Sequence, residues 1–516
     1  MDIAEWIDRR ADLSPDDLAL HFEGADISYG TLAGRVARLA VMLRRNLGIE
    51  PGDRIAFLGY NSPEFIDLLF ACARVGAIVV PLNWRLTAAE HLYILGDCTP
   101  SAILVEPEFV EHVDRMRGDL GEMRPIAYGP EPTGWSGYDA LLADSGAGED
   151  GGERSGHRER AILIVYTSGT TGRPKGAVLT QDALYWNAMN STAEHDLTSR
   201  DHVLTTLPMF HVGGLNIQTV PALHAGARVT IHRRFEPGPV LRAIAKQRPT
   251  LFVAVPATMK AMIDHPDWED TDLSSLRMVT AGSSVVPEAL IRAFHARGVP
   301  VTQVYGATET APIAIHLPLA DAERKIGSTG KPALHCEARI VDADGKDVAP
   351  GETGEILVRG PNLMREYWNN PEATKAALAG GWYHSGDVGH QDDEGYFYID
   401  ERKNDVIISG SENIYPAEIE NVLADCADIA EAAAVGRRDE RWGQVPVAVI
   451  VPKAGSDLDA DRVLAMFENR LARYKHPREV VFVERLPRNA MGKVLRYELR
   501  EMLDARAAAG RRDRTG

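Results

Sequence analysis

The sequence predicts an α/β protein with a large N-terminal domain built on parallel sheets, a small β-barrel-like unit, and a smaller α+β domain at the C-terminal end. Three observations support this class. Strand and helix patterns alternate over the first 300 residues, short turn-linked segments follow from Gly327, and the pattern changes again near residue 400. Alternation is typical of parallel sheets, and short segments between Gly-rich turns are typical of hairpins. The length of 516 residues also predicts more than one domain.

Hydrophobic spacing defines the early elements. Apolar residues recur at helical spacing after Tyr29, with Ser28 or Thr31 as candidate N-cap. A Pro-Gly-Asp turn then precedes a short apolar run, and the Gly-rich stretch 144–158 predicts a surface loop. The predicted elements are a helix over Tyr29–Leu47, a strand over Arg54–Leu58, a helix over Glu64–Val75, and strands over Ala77–Pro81 and Ala161–Tyr166.

The later elements divide at residue 401. The turns D-A-D-G and P-G-E-T-G flank short apolar segments, which predicts antiparallel hairpins involving Ala338–Val341 and Glu355–Val358. Beyond them we expect helices over Pro416–Leu423 and Asp459–Leu471, with strands near 432–435 and 447–451. The sequence therefore predicts an N-terminal domain over 1–401 and a separate C-terminal domain over 402–516.

The charge is unevenly distributed. The chain has 56 Lys and Arg against 74 Asp and Glu, a net charge of −18, which disfavours general nucleic-acid binding. Residues 402–516 nevertheless carry 20 basic and 19 acidic groups, and 470–516 carry 13 and 6. The positive charge is therefore concentrated near the C-terminal end of the chain.

The N-terminal residues and the cysteines indicate a cytoplasmic protein. Residues 1–10 have three acidic groups and no signal-peptide pattern, and no apolar stretch is long enough for a transmembrane segment. The four cysteines are far apart, without the spacing of a zinc site or disulfide scaffold. The oligomeric state stays open, and a homodimer is one of the alternatives.

The segment Thr167–Gly176, T-S-G-T-T-G-R-P-K-G, is the most informative motif. It follows a predicted strand and precedes a helical pattern, and it combines glycines with hydroxyl and lysine donors, which suits phosphate oxygens. It does not fit the G-x-x-x-x-G-K-[ST] pattern, because Gly172 is followed by Arg173. On composition alone, a structural Gly/Thr turn is an equal alternative.

Five further motifs follow in order, and together with the Gly/Thr loop they extend over more than 300 residues. They are L-P-M-F-H-V-G-G (207–214), Y-G-A-T-E-T (305–310), Y-H-S-G-D (383–387), E-R-K-N-D-V-I-I-S-G (401–410) and P-R-N-A-M-G-K (487–493). With the Gly/Thr loop, they resemble the adenylate-forming superfamily of acyl-CoA synthetases, luciferases and peptide-synthetase adenylation domains, over nearly the whole chain. The acyl-CoA synthetase branch is the most similar. The resemblance implies an AMP-forming acid–thiol ligase that uses ATP, Mg²⁺ and coenzyme A as co-substrate.

The resemblance also implies roles for residues in the N-terminal domain. Glu309 would hold magnesium and Thr308 would contact the α-phosphate. Tyr305 would stack on adenine, and Gly306 beside it is a further nucleotide-binding candidate. His211 would lie between the ATP and acyl sites, with a packed core histidine as the alternative. The remaining nucleotide-binding candidates here are Thr167, Ser168, Gly169, Thr170, Thr171, Gly172, Lys175, Gly282, Ser283 and, for the ribose hydroxyls, Asp387.

In the C-terminal segment, Lys493 resembles the lysine that bridges carboxylate and α-phosphate during adenylation, and Arg402 resembles the arginine that reaches ribose or phosphate. The resemblance implies that the C-terminal domain over 402–516 is mobile, and it places a hinge at Asn404, where Asp or Lys is usual. Gly410 would then line the pantetheine tunnel after rotation. Trp442 would pack along pantetheine, with a role in the core of the small domain as the alternative.

The acid itself is less constrained. No carboxylate stands near Phe210–His211 to pair with an ammonium, which disfavours amino acids. The residues expected around the acyl group are apolar or small: Met209, Phe210, Val212, Gly213, Gly214, Gly282, Val304 and Ala307. A fatty acid is the preferred prediction, an aromatic acid of the ferulate, coumarate or benzoate kind is the alternative, and an acyl-AMP ligase serving a carrier protein is a third. Nucleotide binding without catalysis is disfavoured by Glu309, Asp387, Arg402 and Lys493.

Overall fold

The computed structural model describes residues 3–145, 158–167, 173–283, 286–402, 406–410, 412–453, 455–487 and 494–512. These residues form two compact units. The first contains the described residues of 1–84, 92–167 and 176–401, and the second contains those of 85–91, 168–175 and 402–516. No helix within the described ranges is long and apolar enough to cross a membrane.

The first unit contains two large sheets with parallel centres, as the sequence predicts. Strands are numbered along the chain. Among the described residues, one sheet has eight strands, in the spatial order β19 (Glu366–Tyr367), β9 (Lys175–Thr180), β8 (Ala161–Thr167), β4 (Ile78–Pro81), β3 (Arg54–Leu58), β5 (Ala102–Val105), β6 (Arg124–Ala127) and β7 (Ser136–Gly137). Pairing from β8 through β7 is parallel, and β19 joins β9 antiparallel.

The second large sheet carries the ends of several motif-bearing strands. Its nine described strands run in the order β16 (Lys331–Pro332), β15 (Ile315–His316), β14 (Val301–Tyr305), β13 (Met278–Ala281), β12 (Leu251–Ala254), β10 (His202–Thr205), β11 (Arg228–Ile231), β1 (Leu18–Phe22) and β2 (Ala25–Ser28). The six strands from β14 to β1 pair parallel, and the outer strands pair antiparallel.

A small sheet corresponds to the predicted barrel-like unit. Its described strands are β17 (Glu337–Val341), β18 (Gly354–Arg359), β20 (Tyr383–Gln391) and β21 (Phe397–Arg402). Antiparallel register pairs Ala338 with Val358 and Ile340 with Ile356, which confirms the predicted hairpin. Ile340, Ile356 and Phe397 are buried in its apolar core.

Helix α2 (Tyr29–Arg45) buries the apolar positions that the sequence spaces at helical intervals, among them Leu32, Val36 and Leu39, whereas α3 (Pro63–Val75) is buried on nearly every side. In α2 the Ser28 hydroxyl accepts a hydrogen bond from the Thr31 backbone N–H at 3.2 Å, so Ser28 is the N-cap. The helices up to residue 401 are α1 (Ala4–Leu13), α2 (Tyr29–Arg45), α3 (Pro63–Val75), α4 (Ala88–Cys98), α5 (Val110–Asp114), α6 (Tyr138–Asp144), α7 (Gln181–His195), α8 (Val212–Asn216), α9 (Thr219–Ala225), α10 (Pro237–Gln247), α11 (Pro256–Ile263), α12 (Glu288–Ala296) and α13 (Pro371–Ala377).

The second unit is an α+β structure built around a long hairpin. Its described elements are β22 (Ile407–Ser409), β23 (Glu412–Ile414), α14 (Pro416–Ala424), β24 (Ile429–Asp439), β25 (Gly443–Pro452), α15 (Ala460–Ala465), β26 (Glu479–Phe482) and α16 (Arg496–Arg512). β24 and β25 pair antiparallel, and β26 joins β25 parallel. The predicted strands near 432–435 and 447–451 are the central parts of this hairpin.

One predicted helix is too long. The helix expected over Asp459–Leu471 ends at Ala465, because the following residues adopt i→i+3 turns. Asn469 has a φ of +60°, in the left-handed region, which a continuing helix does not allow. Phe467 is fully buried in the core of the unit. The apolar residues that suggested a longer helix therefore reach the core from successive turns.

Candidate active site

The carboxyl ends of two neighbouring parallel strands define the site in the first unit. β13 ends at Ala281 and β14 ends at Tyr305, with Ala281 paired to Gln303. The motif residues Gly282 and Gly306 therefore follow at the same edge of the sheet. In open α/β sheets this edge is where ligands bind.

Tyr305 and Asp387 are in direct contact although 82 positions separate them. The Tyr305 hydroxyl donates to Asp387 Oδ2 at 2.9 Å, and the Asp387 backbone N–H donates to the Ser385 hydroxyl at 3.0 Å. Only 4% of Asp387 is exposed. Strand β20 thus brings the carboxylate expected to bind ribose next to the ring expected to stack on adenine, and the hydrogen bond fixes both side chains.

Glu309 lies in a 3₁₀ turn over Thr308–Thr310 and is 7% exposed. Its Oε1 accepts a hydrogen bond from the Tyr367 hydroxyl at 2.6 Å, and its backbone carbonyl accepts from the Met364 N–H at 2.7 Å. The sequence reasoning did not single out Tyr367. No local sequence pattern predicts a contact between residues 58 positions apart, so the hydrogen bond between Tyr367 and Glu309 is visible only in the tertiary structure.

The buried Tyr383 lies close to both carboxylates and to the other two tyrosines of the site. Burial raises the pKa of Tyr383 well above its ordinary value, and the nearby Glu309, Tyr367, Tyr305 and Asp387 raise it further. The two carboxylates therefore share one low-dielectric region with three phenols. Such a region strengthens interactions with a bound phosphate or cation.

Two glycines are required by close backbone approach. A Cβ on Gly306 would overlap the Pro312 carbonyl oxygen, and a Cβ on Gly282 would lie 2.7 Å from the Val304 carbonyl oxygen. Ser283, which follows Gly282, has a φ of +73°. These residues thus form a closely packed backbone edge beside Tyr305, as expected of a surface that approaches a flat base.

His211 and its neighbours form the apolar side of the region. His211 immediately precedes the short helix α8, and its ring centroid lies 4.4 Å from that of Phe210. Met209, Phe210, Val212 and Val304, which the sequence predicts to surround the acyl group, are all buried. Val304 belongs to an apolar cluster that also contains Leu207, Ile217, Val253, Val255, Ile313, Ala333 and Cys336.

The Gly/Thr loop is described only at its ends. Thr167 is the last residue of β8 and Lys175 is the first of β9. The loop therefore connects two strands, whereas the sequence analysis expected a helix after it. The predicted phosphate-contacting residues Ser168, Gly169, Thr170, Thr171 and Gly172 lie outside the described residues.

In the second unit, Gly410 and Trp442 contact each other. The Gly410 N–H donates to the Trp442 carbonyl at 2.7 Å, and Gly410 has a φ of +67°. Trp442 remains 37% exposed, and the Arg441 guanidinium lies 4.8 Å from its ring centroid. Trp442 therefore lies at the surface of the unit, between Gly410 and Arg441.

The remaining predicted residues fall outside the described part of the chain. Asn404 and Lys493 are not described, and Arg402 is described only as the backbone end of β21. The described residues contain no group of three or more His, Cys, Asp and Glu side chains arranged to hold a metal. One buried carboxylate, Glu309, fits magnesium that is bound mainly by substrate phosphates and water.

The fold and the site together define an adenylate-forming ligase. The chain matches the AMP-binding enzyme family over residues 7–368 and the AMP-binding enzyme C-terminal domain over 418–493. It belongs to this family, within the CoA ligase branch, and is an AMP-forming acyl- or aryl-CoA ligase.

The alignments with three named relatives extend over almost the whole of this chain and of each relative. An indoleacetate–CoA ligase of Aromatoleum aromaticum is 54% identical, over 98% of this chain and 98% of the relative. A feruloyl-CoA synthase of Amycolatopsis is 42% identical, over 96% and 98%. A long-chain-fatty-acid–CoA ligase of Mycobacterium tuberculosis is 36% identical, over 97% and 98%.

A solved structure shows the same architecture. The o-succinylbenzoate CoA synthetase of Bacillus subtilis superposes with a TM-score of 0.86 at 33% identity, over 96% of this chain and 98% of the other. This similarity confirms the predicted fold class.

Proposed function

We propose that this protein is an ATP-dependent CoA ligase for an aromatic carboxylic acid, with an indoleacetate-like acid as the leading substrate. The observation that carries the proposal is the 54% identity to an indoleacetate–CoA ligase over 98% of both chains. Identity to the fatty-acid ligase is lower, at 36%. The aromatic alternative of the sequence analysis is therefore better supported than its preferred fatty acid.

The apolar cluster around Val304 is consistent with this substrate. It contains aliphatic residues, including one alanine, and one cysteine. Apolar residues of this kind bury an aromatic ring favourably. Apolarity alone does not separate a ring from an alkyl chain, because both gain from the same loss of water contact.

On the nucleotide side, Tyr305 and Asp387 would bind adenosine together. The Tyr305 ring would stack on adenine, while its hydroxyl holds Asp387 for the ribose hydroxyls. A carboxylate can accept several hydrogen bonds, so the bond from Tyr305 leaves it the capacity for two hydroxyls. Thr308 and the Gly/Thr loop, including Lys175, would contact the phosphates.

The reaction has two displacement steps. A carboxylate oxygen of the acid attacks the α-phosphorus of ATP, the bond to the β-phosphate oxygen breaks, and pyrophosphate leaves. The CoA sulfur, after losing its proton, then attacks the acyl carbonyl and AMP leaves. Magnesium held by Glu309 would supply positive charge at the phosphates, and Lys493 would stabilise the charge that develops where acid and phosphate meet.

The C-terminal segment would serve both steps. We propose that it rotates at Asn404, which withdraws Lys493 and brings Gly410 and Trp442 to pantetheine, while Arg402 contacts the nucleotide. The contact between Gly410 and Trp442 supports a common role at pantetheine, because a Cβ at position 410 would lie only 3.2 Å from the Trp442 ring.

A substrate panel tests the proposal. Purified protein is incubated with ATP, magnesium, CoA and either indoleacetate, ferulate, benzoate, decanoate or palmitate, and CoA thioesters and pyrophosphate are measured. We expect kcat/KM for an aromatic acid to exceed that for either fatty acid by at least about tenfold, a difference of about 1.4 kcal/mol. Higher values for decanoate or palmitate would refute the aromatic assignment, and turnover that free CoA does not accelerate would indicate a carrier-protein acceptor.

A further inference from the structure

A buried connection links the Glu309 turn to the strand that leaves the Gly/Thr loop. Asn362 Nδ2 donates to the Thr310 carbonyl at 2.6 Å, and the Met364 N–H donates to the Glu309 carbonyl at 2.7 Å. Farther along, the Trp368 N–H donates to the Gly176 carbonyl at 2.7 Å. We call residues 362–368 the connecting segment. It holds the acidic turn and the start of β9 in one hydrogen-bonded arrangement.

Tyr367 is the side chain through which this segment reaches Glu309. Its backbone is fixed by antiparallel register, with Tyr367 opposite Ala177, and the residue is 5% exposed. Its hydroxyl donates to Glu309 Oε1 at 2.6 Å. A short hydrogen bond to a carboxylate is among the strong ones, and a buried ring held by a sheet has little freedom to move away.

We propose that Tyr367 is a positioning residue for the metal-binding carboxylate. By holding Oε1, its hydroxyl selects one orientation of the Glu309 side chain, so that Oε2 is presented to the cation that accompanies the ATP phosphates. Partners that orient a ligating carboxylate commonly contribute 10- to 100-fold in metal affinity or activity. This inference rests on the proposed function, because it takes Glu309 as the magnesium ligand.

The test measures ATP binding without turnover. In the absence of acid and CoA, isothermal titration calorimetry gives the Kd of ATP for wild type and Tyr367→Phe over a series of Mg²⁺ concentrations. We expect the variant to need about tenfold more Mg²⁺ for the same ATP affinity, because its Glu309 is no longer held. ATP affinity without metal should match wild type. Tyr367→Met, which also lacks a donor, replaces the Phe variant if that variant does not fold.

Two controls separate positioning from general damage. Tyr29→Phe also removes a buried phenol hydrogen bond, 2.7 Å to the Ala227 carbonyl, and should lower Tm with unchanged Mg²⁺ dependence. In a Glu309→Gln background, Tyr367→Phe should no longer shift the Mg²⁺ dependence, since the group it acts through is altered.

Equal Mg²⁺ dependence in wild type and Tyr367→Phe would overturn the inference, as would a shift that persists in full in the Glu309→Gln background. The proposed function is judged separately, by formation of an aromatic CoA thioester by wild type. If wild type forms no aromatic CoA thioester but Tyr367→Phe still needs about tenfold more Mg²⁺ for ATP binding, the substrate assignment is rejected and the positioning role is supported.

Discussion

His195 makes the stability of the first unit depend on pH below neutrality. The ring is fully buried at the end of α7, with Nδ1 2.9 Å from the Ser191 carbonyl oxygen and Nε2 3.0 Å from the Thr280 hydroxyl. Nδ1 must therefore carry the proton, and Nε2 accepts from Thr280. Thr280 directly precedes Ala281 and Gly282, so this neutral imidazole supports the strand end at the site.

Burial lowers the pKa of His195 from 6.5 to about 3. Between these values the unfolded chain binds a proton that the folded protein does not, so the free energy of unfolding falls as pH falls below 6.5. At pH 5.5, one unit below the unfolded pKa, His195 alone should cost about 1.4 kcal/mol relative to pH 7.5. The stability contribution is fully present above pH 6.5.

Urea unfolding followed by tryptophan fluorescence at pH 7.5 and 5.5 measures this effect. His195→Gln cannot titrate there, so its loss of unfolding free energy between the two pH values should be about 1.4 kcal/mol smaller than that of wild type. Buried histidines that do not interact with His195, such as His202, titrate equally in both proteins and cancel. Tyr29→Phe, which weakens the core without removing a group that titrates in this range, should lose as much as wild type. Equal losses in wild type and His195→Gln would refute the reasoning.

Three further predictions concern the site. Tyr305→Phe keeps the ring but loses the hydrogen bond to Asp387. A hydrogen bond to a charged group contributes roughly 1.5 kcal/mol, so the KM for ATP should rise about tenfold. An unchanged KM in initial-rate assays would contradict this expectation. Lys493→Ala should slow pyrophosphate release about 10²- to 10³-fold, while supplied acyl-adenylate is still converted to CoA thioester; equal loss of both half-reactions would argue against a role confined to adenylation. Trp442→Ala should raise KM for CoA about tenfold through lost apolar contact, with adenylation unchanged; a matching loss in adenylation would assign Trp442 a structural role.

Local sequence determined the elements and the family. Ser28 before an apolar helix pattern and the apolar run Arg54–Leu58 specify their structures through nearby residues, and the observed α2 and β3 agree. The ordered motifs indicated the reaction class through their resemblance to one superfamily, and the family match confirms it. The acid was not determined in the same way, since an apolar wall suits a ring and an alkyl chain alike.

Tertiary structure decided which side chains meet. Tyr305 with Asp387, Glu309 with Tyr367, and His195 with Thr280 are pairs separated by 58 to 85 positions. Each depends on strand order and register, and a register shift of one residue would turn the side chain to the opposite face of its strand. Local propensity carries no information about those pairings. The sequence alone could therefore suggest Glu309 as a magnesium ligand, but only the tertiary structure shows the hydrogen bond that it accepts from Tyr367.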